Sequence, residues 1–246
     1  MQGNVCQIED RQLPELAEKP AVQAGKSMNR PRVILADDHG ILVEALAALL
    51  EPEFDVVGRV VDGRALVAAA AELKPDAVVV DIAMPLLNGM EAAEQIRKVN
   101  REIRIVFLTM NSSPEVASEA LGLGASAYLL KSCAASELAQ AIRLAMRGRQ
   151  YVTPAIQKAL SEAFIDAPLR SRRKRRGLNS RQREVLQLLA EGRSMKEAGA
   201  ILNVAERTIA YHKYRIKATL RLRSNAELLQ YALRQQIACG SEVYTY

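Results

Sequence analysis

The chain has 246 residues, a length that suggests one or two domains and is sufficient for two cores. No apolar run approaches the roughly 20 residues that a membrane span needs, and the N-terminus lacks the basic, apolar and small-residue segments of an export signal. The three cysteines are widely spaced, which indicates a reducing, cytoplasmic setting and excludes a disulfide framework or a cysteine-based metal motif.

The net charge of +6 is divided unevenly along the chain. Residues 1–150 contain 16 Lys and Arg against 20 Asp and Glu, whereas residues 151–246 contain 18 against 8. A basic part that follows an acidic part indicates that the basic part meets a polyanion such as nucleic acid. The alternative is an ordinary solvated surface.

Residues 1–29 are polar, contain Pro14 and Pro20, and show no sustained hydrophobic period. We predict a flexible N-terminal extension. Met28 stands just before the first predicted strand, so translation could equally start there.

Residues 30–150 alternate short apolar runs with helical patterns. The runs predict strands at 33–36, 56–61, 78–80, 103–108 and 127–130. Helices are predicted at 41–50, 65–73, 90–99, 113–121 and 136–147, with Ser136 as the N-cap of the last helix and Gly148 just after its end. Five strand–helix alternations predict an α/β domain with a doubly wound, five-stranded parallel sheet.

Polar residues stand where four of these strands end. Asp37 and Asp38 follow the first strand, Asp81 the third, Thr109 the fourth and Lys131 the fifth. Ligands bind at this edge of a parallel sheet, and three carboxylates there would repel one another unless a hard cation such as Mg²⁺ lay among them. A lysine can stabilise an incoming phosphoryl group by its charge, and a threonine hydroxyl can do so by a hydrogen bond. The pattern therefore predicts phosphoryl transfer onto a carboxylate. In the simpler alternative, Asp81 only caps the next helix.

Residues 32–150 resemble the receiver domain of bacterial two-component response regulators. The resemblance rests on the strand-end residues, on Met84, Pro85 and Gly89 after Asp81, and on the run 124–131. It implies that a sensor histidine kinase phosphorylates Asp81. It also implies that Asp38, Asp81 and the backbone carbonyl of Ala83 bind Mg²⁺, assisted by Asp37, and that Thr109 and Lys131 contact the phosphoryl group.

Tyr128 matches the aromatic position that changes rotamer on activation in this family. A half-buried strand aromatic without such a role is the alternative. The two histidines, His39 and His212, lie in different predicted domains and support neither a metal site nor a Ser-His-Asp triad.

Residues 151–177 form the predicted junction. A helix is predicted from the segment 151–154 through Phe164, and Pro168 ends it. The run 170–177 then contains six basic residues without an apolar anchor, so it is expected to be extended and solvated. It serves either as a linker that also touches DNA phosphate or as a simple tether.

The hydrophobic pattern of residues 178–240 predicts an all-helical domain. The first helix has Asn179 near its start and ends at Gly192, and the second opens with a Ser194–Glu197 capping box and runs through Leu202. After a turn at 203–204, the third helix spans 206–218, and a Ser224–Glu227 box opens a fourth that runs to about residue 236. Two short helices joined by a tight turn fit a helix-turn-helix.

The third helix carries the residues predicted to meet DNA. Arg207, Lys213, Arg215 and Lys217 supply charge for phosphates, and Tyr211 and Tyr214 are placed to reach base edges or sugars, with Thr208 beside them. A charged helix face that is merely solvated is the alternative.

The segment 178–237 resembles the four-helix DNA-binding domain of the LuxR/NarL type. The residues that carry the resemblance are Arg183 to Leu186, Leu189 to Gly192, Lys196–Glu197, and Arg207 to Ile209 with His212 and Ile216. It implies that the third helix enters the major groove and that the fourth mediates dimer contact.

Four positions depart from the family pattern. Ala205 replaces the usual Ser or Thr cap of the recognition helix, and Ala210 replaces a Lys or Arg that commonly reaches DNA. Thr219 and Arg221 replace a usual Lys and Gly. These departures argue against carrying over the usual half-site preference of the family.

The chain is thus similar to two-component response regulators of the NarL/FixJ family. The predicted function is phosphorylation-dependent control of transcription, with DNA and a histidine kinase as partners, a homodimer on DNA, and RNA polymerase as a further candidate partner. The alternative is a protein-interaction regulator whose helical domain has lost sequence-specific DNA binding. An enzyme that turns over a diffusible substrate is disfavoured, because no second catalytic set is visible.

Overall fold

The computed structural model describes residues 30–166, 178–235 and 237. The extension predicted at residues 1–29 and the basic run at 170–177 lie outside the described residues. No helix in the described ranges is long and apolar enough to cross a membrane.

The N-terminal domain alternates strands with helices. Its strands are β1 (Arg32–Ala36), β2 (Asp55–Val60), β3 (Ala77–Val80), β4 (Arg104–Thr109), β5 (Ala127–Leu130) and β6 (Tyr151–Val152). Its helices are α1 (Gly40–Leu50), α2 (Gly63–Leu73), α3 (Gly89–Val99), α4 (Pro114–Gly122), α5 (Ala134–Met146) and α6 (Pro154–Asp166). The C-terminal domain contains α7 (Ser180–Ala190), α8 (Met195–Leu202), α9 (Glu206–Leu220) and α10 (Asn225–Arg234).

The six strands form one parallel sheet in the order β2-β1-β3-β4-β5-β6. The predicted doubly wound α/β class is confirmed, but the predicted count of five strands is wrong. The sixth strand pairs Tyr151 with Ala127 and Val152 with Tyr128. Two residues are too few to show a period of two, so the hydrophobic pattern places them at the start of the next helix instead.

Helices cover both faces of the sheet, and alternate strand residues enter two apolar cores. Ile34, Val80 and Phe107 belong to one core, and Leu35 and Val106 belong to the other. Burial on both faces explains why the central strands are continuous apolar runs rather than alternating ones.

Helix α5 begins earlier than the sequence predicts. A short 3₁₀ turn at Lys131–Cys133 follows β5, and α5 starts at Ala134. Ser136 is therefore inside the helix, where its hydroxyl donates to the carbonyl of Cys133 at 3.1 Å, and it is not the N-cap. The predicted stop is confirmed, since Gly148 adopts a φ of +71° just after the helix.

The connection from β3 to α3 is packed too closely for any side chain at Gly89. A Cβ atom there would lie 2.0 Å from the carbonyl oxygen of Asp81. Asn88 caps α3 by accepting hydrogen bonds from the N–H groups of Met90 and Glu91. The glycine and the cap together fix α3 against the end of the strand that carries Asp81.

The C-terminal domain packs its four helices around a separate core that includes Leu186, Ile209, Ile216 and Leu228. Side-chain caps set the helix starts: capping boxes open α7 at Asn179–Gln182 and α8 at Ser194–Glu197. The cap of α10 is made differently from the predicted box. Ser224 accepts from the N–H of Glu227, but the Glu227 carboxylate accepts from the N–H of Arg223.

Candidate functional site

The parallel sheet brings three of the predicted site residues into direct contact. The Lys131 Nζ atom lies 2.6 Å from Asp37 Oδ2 and 2.7 Å from Asp81 Oδ2. Asp37 is 3% exposed and Asp81 is 4% exposed. Because an unpaired carboxylate is costly to bury, the ammonium group is what allows these two to lie together.

The environment keeps Lys131 charged. Burial alone would lower its pKa, but hydrogen bonds and charge from Asp37 and Asp81 outweigh burial and raise the pKa above its usual value. The ammonium is therefore a fixed positive charge at neutral pH. Its contribution to folding is complete below the unfolded-state pKa and is lost only as the pH rises through the higher folded-state value.

One oxygen of Asp81 remains available for chemistry. The Oδ1 atom is buried and has no hydrogen-bond partner among the described residues, while Oδ2 is held by Lys131. A buried carboxylate oxygen without a partner is destabilising, and a hard cation or a covalent phosphoryl group would remove that cost. Carboxylate oxygens such as those of Asp37, Asp38 and Asp81 are the type of ligand that Mg²⁺ prefers.

His39 joins the acidic pair, a contact that the sequence pattern does not predict. Its ring Nδ1 atom lies 3.0 Å from Asp37 Oδ1 and 2.9 Å from Asp38 Oδ1. Its backbone N–H donates to Asp37 Oδ1 at 3.0 Å. These three side chains are close enough together to share a metal ion. The only signal for this contact in the sequence is that His39 directly follows the two aspartates.

Thr109 and Tyr128 meet at the loop between β4 and α4. Thr109 is 2% exposed, and its hydroxyl accepts from the N–H of Asn111 at 3.2 Å. The Tyr128 hydroxyl donates to the carbonyl of Asn111 at 2.8 Å. The Tyr128 ring is fully buried rather than half-buried, and burial together with the charge of Asp81 raises the pKa of its hydroxyl far above its usual value.

The surface of α9 presents the residues predicted to meet DNA. Arg207, Tyr211, Tyr214 and Arg215 are exposed, and Thr208, Lys213 and Lys217 are partly exposed. Ile209 and Ile216 face the core, so the charged and aromatic residues occupy the outer side of the helix.

Ala205 leaves the start of α9 without a side-chain cap, although its backbone is in the extended cap conformation, with φ −64° and ψ 147°. Ser194 has nearly the same geometry and caps α8. We expect Ala205→Ser to stabilise the full chain by about 1 kcal/mol, the usual value of an N-cap. Urea unfolding followed by far-ultraviolet circular dichroism measures the change.

Ala218→Ser is the matched control for this variant, because Ala218 is exposed inside the same helix and cannot act as an N-cap. It should be neutral or slightly destabilising, since serine has the lower helix propensity. An Ala205→Ser variant no more stable than the parent chain would show that the cap site is not formed in solution.

The first helix of the C-terminal domain docks on the loop that follows Asp81. The Gln187 side chain donates to the carbonyl of Met84 at 2.8 Å and accepts from the N–H of Asn88 at 2.8 Å. The Glu191 carboxylate accepts from the N–H of Leu86 at 3.1 Å. We call this set of bonds, from Gln187 and Glu191 to the loop 84–88, the interdomain contact.

Ion pairs extend the docking along α3. Arg183 pairs with Glu91 and also reaches Glu94, at 3.4 Å from Nη2 to Oε2. Glu184 accepts from Gln95 at 3.1 Å. Burial raises the pKa of Glu91, while the charge and hydrogen bond of Arg183 oppose the rise. These docking bonds come from α7 and not from α9, and the outer face of α9 is exposed in this arrangement.

A doubly wound parallel domain whose strand ends gather an Asp–Asp–Lys cluster, joined to a helix-turn-helix domain, defines a two-component response regulator. The model of the response regulator receiver domain matches residues 33–143. The model of bacterial regulatory proteins of the luxR family matches residues 176–232. Together the two matches account for the domain order observed.

Individual relatives agree with this assignment. The transcriptional regulatory protein LiaR of Bacillus subtilis is 32% identical over 216 residues, which cover 84% of this chain and 98% of LiaR. A structure of the RcsB response regulator of Salmonella typhimurium is 27% identical with a TM-score of 0.59, covering 84% of this chain and 98% of RcsB. An RcsB–DNA complex is also similar, at 27% identity and a TM-score of 0.53, covering 83% and 98%. The chain belongs to the NarL/FixJ family of response regulators, which are DNA-binding transcription regulators of two-component systems.

Proposed function

We propose that Asp81 accepts a phosphoryl group from a sensor histidine kinase and that this modification controls how the chain binds DNA. The observation that carries the proposal is the state of Asp81 itself. Its side chain is almost fully buried, one oxygen is fixed by Lys131, and the other has no partner among the described side chains. Such an oxygen is suited to attack phosphorus.

The reaction follows from these contacts. A bond forms between an Asp81 carboxylate oxygen and phosphorus, and the bond from phosphorus to the donor breaks. The negative charge on the transferred oxygens is met by the Lys131 ammonium and by the Thr109 hydroxyl, which stands at the end of the neighbouring strand β4. Positioning and charge neutralisation carry the catalysis.

A divalent cation completes the charge balance in this proposal. Asp37, Asp38, Asp81 and the backbone carbonyl of Ala83 would hold Mg²⁺, and His39 lies against the first two. When bound, the ion neutralises charge on the carboxylates and on the incoming phosphoryl oxygens. Lys131 contacts one oxygen of Asp37 and one oxygen of Asp81, so the ion and the lysine would act together.

The loop 84–88 is the route by which the state of Asp81 reaches the C-terminal domain. It begins three residues after Asp81 and is bonded through its backbone to Gln187 and Glu191. A phosphoryl group on Asp81 biases the loop, and through it the position of α7. Tyr128, which bonds the neighbouring loop at Asn111, acts as a second sensor of the same site.

We propose that the chain binds DNA as a homodimer through α9, with dimer contact at α10. Leu229 and Leu233 on α10 are 39% and 43% exposed, which is consistent with a partner surface. The similar protein RcsB has been solved as two dimers bound to two parallel DNAs. We expect the chain to act in the cytoplasm, where its DNA lies, with RNA polymerase as a further candidate partner.

The second candidate function is a protein-interaction regulator whose helix-turn-helix no longer reads sequence. Two alanines favour this second function. Ala205 leaves α9 without a side-chain cap, and Ala210 stands where the family commonly has a Lys or Arg that reaches DNA. Phosphate contact alone would persist in such a protein, so binding would remain strongly salt-dependent but independent of sequence.

Binding to a pool of random duplex DNA, with and without acetyl phosphate and Mg²⁺, separates the two functions. We expect the phosphorylated full chain to select a two-fold symmetric site and to bind it more tightly than the unphosphorylated chain does. Equal, salt-sensitive binding of all sequences in both states would support the protein-interaction function instead.

A further inference from the structure

Two exposed tyrosines occupy the centre of the outer face of α9, although the helix is basic. Arg207, Tyr211, Tyr214 and Ala218 follow one another at spacings of four, three and four residues, so they form one stripe along the helix. Tyr211 is 60% exposed and Tyr214 is 72% exposed. Ile209 and Ile216 are fully buried on the opposite side. The stripe is therefore the part of the helix that reaches furthest from the protein.

Arg207 begins this stripe, and the other cations of the helix flank it. Lys213 and Lys217 are partly exposed on one side, and Arg215 is exposed on the other. Long cations at the sides of a helix in the major groove reach the phosphates, which leaves the centre to face the base edges. Between Arg207 and Ala218, the centre offers two aromatic rings and no charged group that could bond guanine in two places.

The ring of Tyr211 contacts a neighbouring ring in the absence of DNA. It makes an edge-on contact with the His212 ring, with 5.7 Å between centroids and an angle of 68° between planes. Tyrosine also has only two side-chain torsions to fix, so placing its ring against a partner costs little conformational entropy. The stripe thus presents two exposed aromatic rings whose placement against a partner costs little conformational entropy.

We infer that Tyr211 and Tyr214 set the sequence preference of this chain by packing their rings against the C5-methyl groups of thymine. In the major groove, thymine is the base that presents a methyl group, and apolar side chains recognise it by contact. The preferred half-site therefore contains thymine at the two positions that face the stripe. This inference rests on the proposed entry of α9 into the major groove.

The test compares two versions of the duplex that the phosphorylated chain selects from the random pool. One version carries thymine in the half-site, and the other carries uracil, which pairs identically but lacks the methyl group. We expect the affinity of the parent chain to fall about three- to fourfold for each contacted methyl group, as for exposing one methylene-sized group. The affinity is measured by fluorescence anisotropy at fixed salt.

Substitutions in the stripe identify the residues responsible. Tyr211→Ala and Tyr214→Ala should each reduce the difference between the two duplexes, whereas Tyr211→Phe should keep it, because the ring remains. Lys213→Ala is the control for phosphate contact. This substitution should weaken binding to the two duplexes equally, and it should reduce the slope of log affinity against log salt by about 1.

Two outcomes would overturn the inference, and they are distinguishable. A selected site whose thymine and uracil versions bind equally would overturn the methyl contact and leave the proposed DNA-binding function intact. Selection of no sequence at all would overturn both, because α9 would then make only phosphate contacts.

Discussion

The Asp81→Asn variant should take up no phosphoryl group from radiolabelled acetyl phosphate in the presence of Mg²⁺, a loss of roughly a thousandfold or more in rate. An amide oxygen is a poor nucleophile, and the substitution also removes one charge from the predicted cation ligands. The variant should still fold. Its side-chain oxygen can still accept the hydrogen bond from Lys131.

Asp62→Asn is the matched control for this experiment. Asp62 caps α2 by accepting hydrogen bonds from the N–H groups of Arg64 and Ala65, and asparagine caps helices equally well. The same chemical change at position 62 should therefore leave phosphorylation unaltered. Label on the Asp81→Asn variant at the parent level would mean that Asp37, Asp38 or another group is the true acceptor.

The strand-end residues could be predicted from the sequence because a strand that is buried on both faces of a parallel sheet is a continuous apolar run. In β3 four apolar residues stop at Asp81, and every one of the four is buried. Parallel order then brings the ends of β1, β3 and β5 to one edge, where Lys131 contacts Asp37 and Asp81. Their contact is a consequence of topology, and the hydrophobic pattern supplies the topology.

Contacts that depend on a single rotamer could not be predicted in this way. Whether the Tyr128 hydroxyl bonds the loop at Asn111 or points to solvent depends on one torsion, and no sequence period reports it. The same holds for the His39 ring beside Asp37 and Asp38. Sequence analysis identified Tyr128 as a site residue but not His39, and only the structure identified the partners of both.

The interdomain contact escaped prediction for a different reason. A glutamine or glutamate on an amphipathic helix normally indicates the solvent side, yet Gln187 is 1% exposed. Its partners are backbone groups about a hundred positions earlier, at Met84 and Asn88. Hydrophobic periodicity locates a helix on its own core but carries no information about a second domain that covers its polar side.

Leu86 shows that the C-terminal domain affects the conformation of the loop after Asp81. Its φ of +64° lies in the left-handed region, which costs a bulky residue about 1–2 kcal/mol. Two contacts with the C-terminal domain offset the cost: its N–H donates to Glu191, and its side chain packs against the apolar core there. The loop and α7 therefore stabilise each other, so that a change in one shifts the equilibrium of the other.

Breaking the interdomain contact should release this loop. We expect Gln187→Ala to leave the N–H of Asn88 and the carbonyl of Met84 without their partners, at a cost of about 1–3 kcal/mol to docking. Hydrogen exchange at the Asn88 amide should then accelerate by about ten- to a hundredfold. Nuclear magnetic resonance of the full chain measures this amide alongside that of Leu86, which donates to Glu191.

An internal reference and a control variant make the result specific. The N–H of Gly89 bonds the carbonyl of Ile82 within the N-terminal domain at 2.9 Å, so its exchange should change much less. Gln157→Ala makes the same substitution at an exposed residue of α6 and should leave all three amides unaffected. If docking responds to phosphorylation, acetyl phosphate should accelerate exchange at Leu86 and Asn88 in the parent chain as Gln187→Ala does. Unchanged protection in Gln187→Ala would show that α7 does not hold the loop in solution, and the route from Asp81 would then have to run through Thr109 and Tyr128.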